Sequence, residues 1–495
     1  MSSGMRLGRE SFLTFSGIVV NAGLAFVVTW MIGRGLGASA TGEFFQLTSW
    51  FMIATSVVGL GADTGLVRSL SRQRALGDER HLRPTLRAAL LPVVGVGAVV
   101  SLALLIAAPA LGAWWGLDDA GVDTLRILAL ALVPGSLVGV LLGGSRGLGR
   151  IATYTVIQNL FIPIARLATV AAVVLWIGSA WAAVWAWVLP LIIAAALAAV
   201  ALMRQVAAAD PARQTVDRAE AGEQRRAFWA FSLPRGGAVV LERALDWADV
   251  LLVIALLGPA AGGVYGVVTR IVLAGSMLES AMRIVLGPRL SAAVAQGKHE
   301  EAQSLFRRVT SLLIVASWPF YIAIAVFAGD LLGLFGEQFR SGSTALVILA
   351  VAMGLRNTGG ALQTVLLMAG HSTSQLRNKA VQLVVLIVMT LVLVPVWGIS
   401  GAAAAYAIGV IVDTVLAGVG VYRSLGFRAG VKEVLLAASL PVVVVLGGAL
   451  VVSYALVDAS SFWRLVGLAA VLAAYGSVLL YMLRRRGGSL GGRRG

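Results

Sequence analysis

Twelve ionisable side chains stand inside stretches otherwise apolar enough to cross a bilayer, and these residues have the most chemistry to offer. Six are basic, Arg166, Arg235, Arg243, Arg270, Arg283 and Arg356, and six are acidic, Asp63, Glu242, Asp246, Asp249, Glu279 and Asp413. A guanidinium stays protonated and can hold two phosphate oxygens at once. Arginines around a hydrated cavity therefore suit an anionic cargo such as a phosphate or pyrophosphate headgroup. Arg166, Arg235, Arg243, Arg270 and Arg356 are the candidates for that anion grip. Carboxylates in the same place could set a proton or cation site, or could simply hold the arginines in position. Arg235, Glu242, Asp246 and Asp249 follow helical spacing and share one face. Arg243 lies three residues from Asp246, and Glu279 lies four from Arg283, both within pairing reach. Charges in a bilayer are costly and normally face a cavity or a partner. Asp63, Arg235 and Arg283 lie close to cytoplasmic ends, where snorkelling explains them as well. Asp63, Glu242, Asp246, Asp249, Glu279, Arg283 and Asp413 are thus candidates for ion coupling or for structural ion pairs. No catalytic motif accompanies any of them.

The elements that must position these groups are membrane helices. Of 495 residues, 59% are hydrophobic and 13% are charged, and the mean hydropathy is +0.90. A soluble domain has about 45–50% apolar residues, so an ordinary soluble enzyme, a disordered chain and a secreted disulfide scaffold are all excluded. A bilayer-spanning helix needs about 20 apolar residues. Apolar runs between charged breaks give fourteen candidate spans, near 12–33, 45–66, 88–111, 124–145, 152–177, 180–203, 233–257, 263–286, 309–329, 344–369, 380–397, 400–422, 434–457 and 463–483. The first follows Arg6, Arg9 and Glu10 without a small-residue cleavage site, so it reads as a retained helix and not a signal peptide.

The formal charge of +16 is a topology signal and not a nucleic-acid one. With the N-terminus inside, the segments on the cytoplasmic side, Lys379 among them, carry 29 basic residues. The outer segments carry only 4, Arg34, Arg126, Arg340 and Arg464. That asymmetry puts both termini of a multi-pass cell-membrane protein in the cytoplasm. Trp30, Trp114, Trp115, Trp176, Trp181, Trp397 and Trp463 fall near outer helix ends, as interfacial aromatics do. Cysteine is absent, and the three histidines, His81, His299 and His371, lack ligand spacing, so no metal or other cofactor is expected. The longest connection, about Arg204 to Arg226, alternates arginine with acids and reads as a solvated linker. Without a P-loop or a nucleotide-binding domain, a single-chain ATP-driven pump is excluded.

The two halves of the sequence match at one constant offset of 221 residues. Leu36-Gly37, Gly42 and Phe44 recur as Leu257-Gly258, Gly263 and Tyr265; Ile127-Leu128-Ala129 recurs as Ile348-Leu349-Ala350 and Gly149 as Gly370. Trp176, Ser179, Ala182, Ala183 and Trp185 recur as Trp397, Ser400, Ala403, Ala404 and Tyr406. Six spans per copy give both copies the same sense in the membrane, a parallel repeat. The expected fold is an all-α polytopic membrane protein, with two six-helix bundles around a central cavity that opens alternately to either side. Its expected parts are an N-terminal lobe (1–203), a cytoplasmic linker (204–232), a C-terminal lobe (233–425), and two additional helices with a basic tail (426–495).

Short segments also carry a family resemblance. Arg34-Gly35-Leu36-Gly37 through Gly42-Glu43-Phe44 is similar to the first outer loop of polysaccharide-exporting flippases, and Gly59-Leu60-Gly61 through Gly65-Leu66-Val67-Arg68 to the end of their second span. Ser145-Arg146-Gly147-Leu148-Gly149-Arg150 resembles their loop after span four. Ser232-Leu233-Pro234-Arg235 and Gly287-Pro288-Arg289-Leu290-Ser291 resemble the start of span seven and the end of span eight. The resemblance covers most of residues 10–425 and points to the multidrug/oligosaccharidyl-lipid/polysaccharide exporter superfamily, nearest its O-antigen-type (Wzx-like) flippases. It implies two six-helix lobes in a V with extra C-terminal helices. It also implies a transporter, not an enzyme, that moves an undecaprenyl-pyrophosphate-linked oligosaccharide from the inner to the outer leaflet for surface polysaccharide synthesis. The implied partners are that cargo, membrane lipids, and the polymerase and glycosyltransferases of the same route, with no nucleic acid. A lipid II flippase and a multidrug or small-molecule exporter of the same superfamily are the alternatives.

Overall fold

In lipid, a chain can satisfy its backbone polar groups within one segment only as a helix. The computed structural model describes residues 3–209, 216–276, 296, 298–359, 362–368, 372–427 and 430–491; these are helical almost throughout and include no strand. The helices are α1 (Ser3–Gly59), α2 (Ala62–Ala75), α3 (Leu82–Trp115) and α4 (Asp119–Gly147). Then come α5 (Ile151–Trp176), α6 (Ala180–Ala209), α7 (Arg218–Leu257) and α8 (Pro259–Ala274). They are followed by α9 (His299–Val326), the short α10 (Ala328–Gly333), α11 (Ser343–Thr358) and α12 (Leu362–Met368). The last three are α13 (Ser372–Leu425), α14 (Lys432–Ala455) and α15 (Ser461–Gly491).

Among the described residues, 10 helices are long and apolar enough to cross a membrane. Two are double length. The apolar part of α1 runs 44 residues and that of α13 runs 53, whereas about 20 suffice for one crossing. Each is bent by one glycine, Gly37 (φ 84°, ψ −178°) in α1 and Gly398 (φ 54°, ψ −135°) in α13. With α7, whose charges keep it out of the apolar set, and with α8, all fourteen expected spans find a helix. Span eight is described only as far as Ser276.

Three local expectations need correction. Residues 34–44, expected as an outer loop, are helical on both sides of Gly37. The second span stops at Gly59 and not at residue 66, because Leu60 (φ 51°) and Gly61 (φ 71°) turn the chain into α2. Lys379, counted with the cytoplasmic segments, lies within α13, its side chain 23% exposed and paired with Asp413.

The repeat is visible in the backbone. Gly258, the counterpart of Gly37, has φ 86° and ψ 173°, nearly the same geometry. That region of φ/ψ space is essentially reserved for glycine, so a glycine at both positions is a steric requirement. Their repeat-related neighbours, Gly42 and Gly263, also lie against each other, and a Cβ on Gly263 would strike the Ala38 carbonyl and the Gly42 nitrogen.

The chain divides into two compact units, Met1–Gly263 and Val264–Gly495. In the first, α4 is the most enclosed helix, packed by α2, α3 and α6, and α7 lies on α1, α2 and α3. The helix that follows the linker thus belongs by its contacts to the first unit. Glycines make this possible: Gly143 meets the backbone of Asp63, and Gly236 meets Leu60 and Gly61. Close backbone approach of this kind is how helices associate in lipid, where no hydrophobic force drives them together. In the second unit α11 packs between α9 and α13. The C-terminal pair α14–α15 is fastened to it by a core of Ala323, Phe327, Ala449 and Leu468. A buried ion pair, Arg464 to Asp330 at 3.2 Å, adds to that attachment. Ser461 Oγ also donates to Asp330 at 2.8 Å. Trp114, Trp176, Trp397 and Trp463 are exposed, as residues that lie in a membrane interface must be.

Candidate functional site

The charged face of α7 is set by how that helix is held. Pro234 interrupts the helix interior and removes one backbone donor. One turn around it, Ser232 and Gly236 receive the turn at Leu60-Gly61, and Gly65 sits over Phe228 and Ser232. Arg68 lays its guanidinium 4.2 Å from the centre of the Phe231 ring. Two of the family-like segments, Gly59-Leu60-Gly61 through Arg68 and Ser232-Leu233-Pro234-Arg235, therefore pack against each other. With that rotation fixed, Leu245, Asp249, Val250 and Val253 are buried.

Arg235, Glu242, Arg243 and Asp246 are instead open, with side chains 40–53% exposed. Arg235 Nη1 lies 3.4 Å from Glu242 Oε1, and Arg243 Nη1 lies 3.6 Å from Asp246 Oδ2. Each arginine thus has an acid on its own helix, which balances the charge of the face without closing it. Asp249 differs from its three neighbours in the pattern: it is 2% exposed, and its Oδ1 accepts from the Val250 N–H at 2.8 Å.

Arg166 lies on α5 and turns to α6. Its Nε donates to the Trp187 carbonyl at 3.0 Å, and its guanidinium carbon is 3.6 Å from the centre of the Trp187 ring. Phe44 and Phe51 meet the same ring edge-on at 6.2 Å. A π-helical stretch at Thr155–Phe161 precedes it in α5. Such a bulge rotates the helix that follows, which sets the azimuth of Arg166.

In the second unit, Arg270 is half-buried on α8. Arg356, half-buried on α11, points Nη1 at the Met353 sulfur, 3.8 Å away. Asp413 has both carboxylate oxygens met: Oδ2 takes Lys379 Nζ at 2.7 Å and Oδ1 takes Gln363 Nε2 at 2.9 Å. Lys379 also donates to Gln382 Oε1 at 2.9 Å. Asp63 sits in the first turn of α2, where a carboxylate complements the positive end of the helix. Glu279 and Arg283 lie outside the described residues.

The ten described groups therefore do not converge on one point within either unit. α7 gathers five of them, and the others are distributed among α2, α5, α8, α11 and α13. Sequence reasoning missed the partners Trp187, Lys379 and Gln363. For Lys379 a signal existed, because a lone acid such as Asp413 in a span calls for a cation on a neighbouring span, here the one across the Gly398 bend of α13.

Comparison with known proteins places this arrangement in context. Residues 7–294 match the family described as "Polysaccharide biosynthesis protein". The "Probable low-salt glycan biosynthesis flippase Agl15" of Haloferax volcanii is 22% identical over 433 residues, covering 83% of each chain. Among solved structures, a lipid II flippase MurJ in an inward closed conformation superposes with a TM-score of 0.68 at 11% identity, over 96% of this chain and 99% of that one. An inward-facing multidrug resistance MATE family transporter of the MOP superfamily gives 0.65 at 16% identity, over 84% of this chain and 98% of that one. At these identities the two structures show a shared fold, and the family match extends over more than half of the sequence. The chain, a multi-pass helical membrane protein with the fold of those transporters, belongs to the polysaccharide biosynthesis protein family.

Proposed function

We propose that the protein is a flippase that carries a lipid-linked oligosaccharide, joined through pyrophosphate to a polyprenyl tail, from the inner to the outer leaflet by alternating access. The observation that carries this reading is the face of α7, where Arg235, Glu242, Arg243 and Asp246 stay 40–53% exposed within an expected membrane span. Lipid does not tolerate such a face, so water or a polar cargo must meet it. Arg243 and Arg235 offer donors to phosphate oxygens. The polyprenyl tail stays in the bilayer while the headgroup crosses.

The anion travels down the membrane potential, which favours outward movement by about 2.3 kcal/mol per charge per 100 mV. The acids of α7 keep the arginines extended, and they release them when a phosphate competes for the guanidinium. Both termini lie in the cytoplasm, where glycosyltransferases build the cargo, and a polymerase consumes it outside. A second reading, a flippase for lipid II, shares the pyrophosphate chemistry and differs only in the sugar. The MurJ superposition over 96% of the chain favours keeping it in view.

Reconstitution tests the proposal. In liposomes with a fluorescent polyprenyl-pyrophosphate oligosaccharide, the protein should move inner-leaflet glycan to where an external endoglycosidase releases it. Release no faster than in protein-free liposomes, in a preparation verified as folded, contradicts it.

A further inference from the structure

On the arginine-rich side of the first unit, two helix faces enclose a cleft that none of the roles above uses. Arg83, Arg87 and Leu91 recur every four residues at the start of α3, and Arg218, Gly222 and Arg225 follow helical spacing at the start of α7. Each set makes one stripe, and the two stripes line a cleft of about 600 Å³. Four arginines line it, with no aspartate or glutamate among the described lining residues. Of the acids nearest in sequence, Glu79 and Glu223 are not among the described lining residues. Asp217 accepts from the Arg218 backbone N–H at 2.7 Å, and Glu220 is held by Arg80 at 2.9 Å and His81 at 3.0 Å. A cleft of similar volume in the second unit shows the contrast: there Arg307 and Arg308 share the walls with Glu300 and Glu433, and Arg307 pairs with Glu433 at 3.3 Å.

Four like charges around one space raise its potential and favour an anion within it. The rim identifies the kind of anion. Leu91 is 70% exposed and lies at the edge where α3 enters its apolar run, so the cleft opens onto the lipid-facing surface. Gly222 faces open space, with nothing within 4 Å of where a Cβ would stand.

We infer that this cleft binds the phosphate headgroup of an acidic phospholipid from the cytoplasmic leaflet, with an acyl chain along Leu91. The bound lipid ties the start of α3 to the start of α7, a junction also made by Trp229 Nε1 donating to the Ala88 carbonyl at 3.0 Å. It gives the helix with the charged face a lipid-dependent anchor. This inference does not rest on the flippase reading, because it concerns binding and not transport.

The test is native mass spectrometry of the delipidated full chain, titrated separately with phosphatidylglycerol, phosphatidylcholine and inorganic pyrophosphate. Each basic residue near an anionic lipid contributes on the order of a five-fold gain in affinity. R87Q/R225Q should therefore bind phosphatidylglycerol roughly 30-fold more weakly than the unaltered chain. G222F, which fills the cleft and keeps every charge, should lose the same adduct. Phosphatidylcholine and pyrophosphate should bind weakly to all three proteins. Unchanged phosphatidylglycerol binding in both variants overturns the site. Equal binding of phosphatidylcholine overturns its preference for anions, and displacement of the lipid by pyrophosphate alone assigns the cleft to a soluble phosphate. A melting profile of each variant matching the unaltered chain ensures that loss of binding is not loss of fold.

Discussion

Asp413 and Lys379 offer the sharpest separation of structure from transport. The pair is 2.7 Å apart, with side chains 4% and 23% exposed, and Gln363 satisfies the second carboxylate oxygen at 2.9 Å. Removing one member of a buried pair leaves an uncompensated charge and costs about 3–5 kcal/mol, whereas replacing both with neutral groups is often close to neutral. Asp413→Asn and Lys379→Met should each destabilise the protein by that amount, a fall in melting temperature of roughly 10 °C for a unit of this size. The double variant K379M/D413N should recover most of it, a coupling of about 3 kcal/mol. Thermal unfolding of purified protein followed by size-exclusion chromatography measures the stability, and surface polymer in a complemented null strain measures the transport. A structural clamp predicts that both recover together in the double variant. Recovery of stability without recovery of export would assign the pair to ion coupling. Single variants that cost under about 1 kcal/mol would refute the burial reasoning itself.

Other perturbations give equally direct expectations. Gly61→Ala adds a Cβ that would stand 2.8 Å from Gly236 Cα, at φ 71°, whereas Gly77→Ala faces open space at φ 68°. Both carry the left-handed cost of about 1–2 kcal/mol, so Gly61→Ala should be less stable than Gly77→Ala by a further 1–3 kcal/mol or so, read from paired unfolding curves. Neutralising Arg243 or Arg270 with Gln should abolish export and leave membrane insertion intact; full export in both variants would contradict the anion grip. Asp246→Asn should keep the protein in the membrane and free Arg243, slowing release of cargo more than its capture, which single-turnover export in vesicles resolves. Arg464→Met leaves Asp330, 4% exposed, without its 3.2 Å partner. It should loosen α15 from α10, seen as faster protease cleavage in the segment after Leu456.

Much of the helical plan was legible in the sequence because an apolar run of sufficient length has one solution in lipid. The 221-residue offset was legible too, and it reappears as the near-identical backbone angles of Gly37 and Gly258. What the runs conceal is where they break. Leu60 and Gly61 look continuous with the apolar sequence before them, yet they turn the chain, and Asp63 becomes a first-turn acid of a new helix. Lys379 begins an apolar run, so its charge resembled a loop flank until Asp413 was found beside it. The periodicity of α7 put Asp249 with Asp246, but helix packing buries the former and leaves the latter open. Arg166 gave no sign of Trp187, because a cation over a ring needs neither an opposite charge nor a fixed spacing. Local chemistry is written in residue types, whereas partner choice is written in helix rotation, which glycine contacts such as Gly61 with Gly236 decide.

The most direct measurement of the central claim is the profile of polyprenyl-linked glycans after the protein is depleted from its native cell. A flippase must leave one complete repeat unit stranded on its lipid in the cytoplasmic leaflet, protected from external glycosidase, while surface polymer falls. An unchanged profile with surface polymer intact contradicts that function and turns the charged face of α7 toward the export of a small molecule.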